Sequence, residues 1–415
     1  MRHPPPLESL GHVRAKVYGR RLTDSALEAI IHDVAAGRYS DLQLAAFVTA
    51  CAGDRLDLHE TAALTRAMIH AGDRIDWGEG LVMDKHCVGG LPGNRTTMLV
   101  VPIVAACGLR MPKTSSRAIT SPSGTADTME TVAPVDLDVP AMRRVVERTG
   151  GCIVWGGSVR LSPADDVLIR VERPLDLDSQ GQLVASVLSK KAAAGSTHVV
   201  LDIPIGPTAK VRSAEAAADL TRQLEHVARA VGLSVRVVHT DGSVPVGRGI
   251  GPTLEARDVL SVLRQQPDAP SDLAQRALLL AGHVLEFGGA APAGAGWSLA
   301  AATLAEGHAW RKFQEICEAQ GGFREPAVAP LRHDILAPCS GRVIGIDNRR
   351  LSRIAKLAGA PKVPCAGIDL LVRSGDFVER GQPLYTLHAG SPGALAYAAD
   401  YARSQPTTVH VTEDE

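Results

Sequence analysis

The chain has 415 residues, enough for about two or three domains, and its 45% apolar and 21% charged residues exclude a largely disordered protein. Lys plus Arg (44) and Asp plus Glu (45) nearly cancel, which argues against binding nucleic acid through bulk positive charge. Aromatics at 3% are too few for a base-stacking surface, whereas 40 glycines suit tight turns and backbone that approaches a ligand closely.

The first 76 residues read as helices. Thr23-Asp24 precedes an apolar stripe of Leu27, Ile30, Ile31 and Val34, ended by Gly37. Ser40 with Gln43, and Asp57 with Glu60, form capping-box patterns before the next two stripes. A small helical domain is expected. From Leu81 short apolar runs alternate with glycine-bearing loops and longer helical stretches. The strand candidates are Gly80 to Met83, Cys152 to Trp155, Val199 to Ile203 and Val235 to Val238. The helical stretches are Thr96 to Cys107, Leu183 to Ala194 and Ala214 to Val231. This alternation predicts an α/β domain with a mostly parallel sheet. Beyond about Pro330 the patterns are β-type with turns and look like the hammerhead of biotinyl and lipoyl carriers. No carrier lysine motif accompanies them, so a structural β module is expected.

The start, Met1 to Pro6, has no apolar segment behind it and does not read as a signal peptide. The longest apolar stretch, Met98 to Leu109, is broken by Pro102 and too short to span a bilayer. Seven cysteines without a Cys-x-x-Cys pair fit a reducing compartment, and a cytoplasmic location is expected. No HExxH, GxSxG or paired-histidine spacing occurs.

Three segments carry candidate chemistry. Asp84-Lys85-His86-Cys87-Val88-Gly89-Gly90-Leu91-Pro92-Gly93-Asn94-Arg95-Thr96-Thr97 follows a strand candidate and leads into an apolar helix. Exposed backbone N–H groups, a helix N-terminus, two cations and two hydroxyls suit an anion, most naturally phosphate. A solvated turn is the alternative. In Lys113 to Asp127, seven of fifteen residues are hydroxylic, with Lys113 and Arg117 beside them. Such a loop also serves plain capping and turn chemistry. Loops of adjacent parallel units fall at one sheet edge, which favours a shared site. The third segment, Asp176 to Gln182, precedes a helix on which Ser186 and Lys190 share a face. Asp178, Ser186 and Lys190 together would suit a heterocyclic base; an N-capping Asp on a surface helix is the alternative. Gly247 to Pro252 reads as a further glycine loop near the site.

Together these segments resemble the thymidine/pyrimidine nucleoside phosphorylase family, from about residue 10 to beyond 400. Asp84-Lys85-His86-x-x-Gly89-Gly90 looks like its phosphate-loop signature, and Ser186-x-x-Ser189-Lys190-Lys191 like its base-binding helix. The likeness is closer to the archaeal-type branch that contains AMP phosphorylase. It rests there on Gly89 to Met98, Lys113 to Thr128 and Ile203-Pro204-Ile205-Gly206-Pro207-Thr208-Ala209-Lys210.

The resemblance implies an α/β fold of the nucleoside phosphorylase/phosphoribosyltransferase type, with a small all-α domain and a C-terminal hammerhead-like module. Its expected division is 1–76 with 162–196 (base side), 77–161 with 197–329 (phosphate side) and 330–415. It implies a pentosyltransferase that needs no metal or organic cofactor, inorganic phosphate being a co-substrate. It assigns Lys85, Cys87, Gly90, Thr97, Ser115 and Thr125 to phosphate. To the nucleotide or base it assigns Ser116, Arg117, Ala118, Ile119, Thr120, Ser121, Ser186, Lys190 and Lys210, and to proton donation Asp178. Asp178 would need a pKa raised by burial, which implies domain closure. Cys87 departs from the serine of thymidine phosphorylases, and Arg95 is an added cation suited to a 5′-phosphate. The leading expectation is phosphorolysis of a nucleoside 5′-monophosphate to ribose 1,5-bisphosphate and base. The alternatives are a thymidine or pyrimidine nucleoside phosphorylase, a phosphoribosyltransferase, and an inactive nucleotide-binding regulator. The partners expected are a nucleotide or nucleoside and phosphate, without nucleic acid or membrane. The archaeal enzymes carry a further N-terminal domain with which this sequence does not start, so a homodimer is expected.

Overall fold

The computed structural model describes residues 7–118, 121–159, 161–175, 177 and 179–412. They form two compact units. One holds Met1–Asp84, Val159–Val199 and Ala218–Arg236; the other holds Lys85–Ser158, Val200–Ala217 and Val237–Glu415.

In the first unit the helices Asp24–Ala35, Asp41–Ala50 and Leu58–His70 begin where the capping residues predict. The Thr23 hydroxyl accepts from the Ala26 N–H, and the boxes Ser40/Gln43 and Asp57/Glu60 close in both directions. Each cap is worth about 1 kcal/mol. A preceding helix, Ser9–Val17, escapes the sequence pattern because its inner face is largely polar. Buried Ser9 donates to Asp33 at 2.5 Å, and buried Lys16 pairs with Glu60 at 2.6 Å. The helices Pro163–Leu175 and Gln180–Ala193 also belong to the unit, whose core includes Ile30, Ile31, Phe47, Leu64 and Leu168.

Strands Met83–Cys87, His198–Ile205 and Ser234–Asp241 form a three-stranded sheet with His198–Ile205 in the middle. The second unit contains the carboxyl-terminal part of each. Asp84 to Cys87, expected in a loop, are thus strand, and the loop starts only at Val88. Two charged residues there mask the strand because they are buried rather than solvated, Asp84 at 0% and Lys85 at 1% exposure. Met111–Ser115 pairs in parallel with Gly151–Trp155, from Met111 opposite Gly151 to Ser115 opposite Trp155. The helix Thr97–Ala106 between the first sheet strand and Met111 is apolar all round after Thr97 and buried from Thr97 to Ala105, as such a composition requires.

The C-terminal part of the second unit is antiparallel. One sheet runs Gly249–Ile250, Gly367–Leu370, Pro383–Ala389, Leu331–Leu336; the other runs Phe377–Val378, Gly341–Ile346, Val409–Thr412. Val343, Leu351, Ile368, Tyr385 and Leu387 lie in its core. Among the described residues no helix is long and apolar enough to cross a membrane.

Candidate active site

Lys85 is the middle residue of its strand, and its Nζ donates to Thr96 Oγ1 at 2.6 Å. Thr96 in turn donates to Asn94 Oδ1 at 3.0 Å, and Asn94 Nδ2 donates to Cys87 Sγ at 3.1 Å. The loop thereby folds back over the end of its own strand. Burial holds the Lys85 ammonium below the usual lysine range, against the opposing pull of Cys87 and Asp202. Burial also pushes the Cys87 thiol above its ordinary range, and the Asp202 carboxylate adds to the shift. Cys87 therefore offers a neutral S–H at pH 7, not a thiolate. Asp202, fully buried, accepts from Thr240 Oγ1 at 2.6 Å.

Two glycines are required by close approach. Gly93 has φ +72°, and a Cβ there would meet Val246 O; the Val246 N–H donates to Pro92 O at 3.1 Å. The glycine-rich segment after Val246 is thus docked on the turn around Gly93. Gly89, at φ +90°, has the Lys210 side chain against it, and Gly90 has Ser121. Lys210 and Ser121 are thereby brought to the turn that the sequence singled out.

The second hydroxyl-rich loop leaves the strand Met111–Ser115. Ser115 Oγ is buried and, among the described residues, has no hydrogen-bond partner, an unusual state for a hydroxyl. The helix Thr125–Glu130 starts at Gly124, and its Asp127 Oδ2 accepts from the Gly124 and Ala118 N–H groups at 2.9 and 2.6 Å. Thr97 opens the other helix and is buried, whereas Ser116 is exposed. Ile119, Thr120 and Asp178 lie outside the described residues.

Two expectations need correction. Arg95 is not an available cation: it is buried, and its Nε pairs with the fully buried Glu255. Its Nη1 and Nη2 donate to Thr125 Oγ1 (3.2 Å) and Ser123 O (3.0 Å). Arg117 is likewise occupied. It forks onto Glu130 at 2.5 and 2.9 Å and lies 4.8 Å above the Trp155 ring centroid. Both arginines tie the loops together. Sequence reasoning missed Glu255, Glu130 and Asp127 as their partners; only for the last two does nearness in sequence offer a signal.

On the helix Gln180–Ala193, Ser186 and Lys190 share a face and are half-buried. Lys190 Nζ lies 2.6 Å from the buried Asp165. The N-cap is Ser179, which accepts from the Gln182 N–H, and ten of the fourteen helical residues are buried. The alternative of an Asp-capped surface helix is therefore overturned. Among the described residues no cluster of three or more His, Cys, Asp or Glu could hold a metal ion.

Three family models match in chain order. The helical bundle domain of the glycosyl transferase family covers residues 12–72 and its a/b domain covers 79–310, more than half of the chain. The chain belongs to this glycosyl transferase family. A pyrimidine nucleoside phosphorylase C-terminal domain matches 343–407. A Polaromonas protein named "Putative thymidine phosphorylase" is 76% identical over 413 residues, which span 100% of this chain and 81% of that protein. A Hahella chejuensis protein of the same name is 60% identical over 412 residues, 99% of this chain and 82% of that one. The fold is also that of anthranilate phosphoribosyltransferase from Thermus thermophilus. That likeness has TM-score 0.62 at 22% identity and covers 74% of this chain and 99% of that one.

Proposed function

We propose that this glycosyltransferase cleaves the N-glycosidic bond of a pyrimidine nucleoside with inorganic phosphate, giving a pentose 1-phosphate and the free base. A phosphate oxygen forms the bond to C1′, the C1′–N bond breaks, and the base leaves with a proton. Lys85, Ser115, Thr97 and Thr125 are assigned to the phosphate, where an anion also stabilises an oxocarbenium-like transition state. Ser186 and Lys190 are assigned to the base, and Asp178 to the proton, by the family resemblance.

The observation that carries the nucleoside reading is the neutralisation of both loop arginines, Arg95 by Glu255 and Arg117 by Glu130. Two loop cations suited to a 5′-phosphate are thus already paired, and buried Lys85 is assigned to the phosphate co-substrate. The names of the relatives support the same choice. Phosphorolysis of a nucleoside 5′-monophosphate is the second reading, favoured by the placement of Lys210 and Ser121 against the Gly89–Gly90 turn.

One panel separates the two. The protein is incubated with phosphate and thymidine, uridine, their 5′-monophosphates or AMP, and free base is measured. Release from nucleosides is expected. Release from the monophosphates alone would replace the first reading with the second. Turnover only with pyrophosphorylated ribose would identify a phosphoribosyltransferase, and binding without turnover an inactive regulator.

A further inference from the structure

The segment from Val246 to Gly249 packs against the turn around Gly93, and its backbone groups can be traced to their partners one by one. The Val246 N–H donates to Pro92 O at 3.1 Å. The Gly247 N–H donates to Asp272 Oδ2 at 3.0 Å, and the Arg248 and Gly249 N–H groups both donate to Asp258 Oδ2 at 2.6 Å. Two carbonyls are held from the C-terminal part of the second unit. Gly247 O accepts from Arg373 Nη1 at 2.7 Å, and Arg248 O accepts from the Leu370 N–H at 2.9 Å. Gly247 and Gly249 are buried, and buried backbone groups need such partners, so these bonds fix where the segment runs.

Arg373 and Asp272 act on one residue. Arg373 Nη2 lies 3.4 Å from Asp272 Oδ1, while the other oxygen of Asp272 holds the Gly247 N–H. An arginine and a carboxylate that face each other thus hold both the N–H and the C=O of a single glycine.

The segment meets the turn without slack. A Cβ on Gly93 would fall onto Val246 O and within 3.0 Å of Gly249 O. From the turn, hydrogen bonds continue to Lys85. Asn94 Nδ2 donates to Cys87 Sγ, and Asn94 Oδ1 accepts from Thr96, which itself accepts from Lys85 Nζ. Close-packed interiors pass displacements on rather than absorbing them. A shift at Gly247 therefore reaches the residues that hold the Lys85 ammonium.

Arg373 lies between the strands Gly367–Leu370 and Phe377–Val378, and its side chain is 36% exposed. Its guanidinium contacts are made outside its own module, on Gly247 and Asp272. We propose that Arg373 is a positioning residue for phosphate, acting from the C-terminal part of the unit through Gly247 and the turn around Gly93 on the placement of Lys85. This role rests on the reading of inorganic phosphate as co-substrate.

Steady-state kinetics and amide hydrogen exchange on the full chain test it, with Arg373→Ala, Arg373→Lys and Asp272→Ala. In Arg373→Ala, KM for phosphate should rise about fivefold, less than a charged hydrogen bond is worth because the effect is relayed. KM for thymidine and kcat should stay unchanged. Exchange of residues 88–97, followed without substrate, should quicken. Arg373→Lys keeps a charged donor for Gly247 O and should recover part of both losses. Asp272→Ala removes the other half of the hold and should reproduce Arg373→Ala. Unchanged exchange of 88–97 in both alanine variants, parallel increases in the two KM values, or a lysine variant as impaired as the alanine one would overturn the proposal. If the wild type turns over no nucleoside with phosphate, the phosphorolysis reading fails, and the exchange of 88–97 decides the positioning role by itself.

Discussion

Arg95, in the loop after the Lys85 strand, is ion-paired to Glu255, 160 residues further along the chain, whose side chain is fully buried. Glu255 also accepts from Thr128 Oγ1 at 2.9 Å and from the Gly251 N–H at 3.3 Å. One carboxylate thus joins the loop after the Lys85 strand, the helix Thr125–Glu130 and the helix Pro252–Leu263. Breaking a buried pair by removing one partner strands the other charge, at a cost of about 3–5 kcal/mol. Glu255→Ala should lower stability to denaturant by that amount. Turnover of thymidine and of its 5′-monophosphate should fall by the same factor. A loss confined to the monophosphate would return Arg95 to 5′-phosphate recognition.

Ser115 supports a cleaner separation of binding from stability. Its buried hydroxyl makes no hydrogen bond among the described residues. Removing an unsatisfied polar group is close to neutral for folding, or stabilising. Ser115→Ala should therefore leave the unfolding midpoint unchanged or raise it slightly. If the hydroxyl serves phosphate, KM for phosphate should rise about tenfold, the worth of one hydrogen bond to a charged group. A destabilised variant with unchanged phosphate kinetics would contradict both statements.

Lys85 adds a pH signature. Because burial lowers its folded-state pKa below the unfolded value near 10.5, the unfolded chain holds more protons between those two values. Stability should therefore rise with pH through that window. Lys85→Met should abolish this rise and cost about 10²–10³ in phosphate-dependent turnover. In the wild type, phosphate affinity should fall as pH climbs through the same window, since the ammonium is lost there. Denaturant titrations and phosphate KM at neutral and alkaline pH measure both trends.

What the sequence conveyed was what is local. Caps such as Ser40 with Gln43 act within one turn, so helix starts are readable from spacing alone. The apolar run Thr97–Ala106 announced a buried helix for the same reason. The polar inner face of Ser9–Val17 was invisible because it is satisfied by Asp33, Tyr39 and Glu60, all distant in sequence. Likewise the candidate site was legible in its residue types but not in their commitments. Nothing near Arg95 foretells Glu255, and so a cation that composition offers to a substrate is used to join loops. Lys85 was singled out yet placed in a loop, because a charge within a strand reads as solvated until its burial is known.

The face that carries Ser186 and Lys190 rests on a contact of the same kind. Lys190 lies 2.6 Å from Asp165 Oδ2, yet that oxygen accepts no aligned hydrogen bond, so charge attraction holds the pair. Burial raises the neighbouring Asp166 carboxyl above its ordinary range, and the Asp165 charge adds to this while Lys190 opposes it. Asp165→Asn keeps the shape and removes the charge that fixes Lys190. The Lys190 side chain is 26% exposed and its ammonium can rehydrate, so the stability loss should stay at about 1 kcal/mol. If Lys190 reads the base, KM for the nucleoside should rise several-fold in Asp165→Asn, whereas KM for phosphate stays unchanged. Parallel increases in both would reduce Asp165 to general support of the helix, and an unchanged nucleoside KM would remove Lys190 from base recognition.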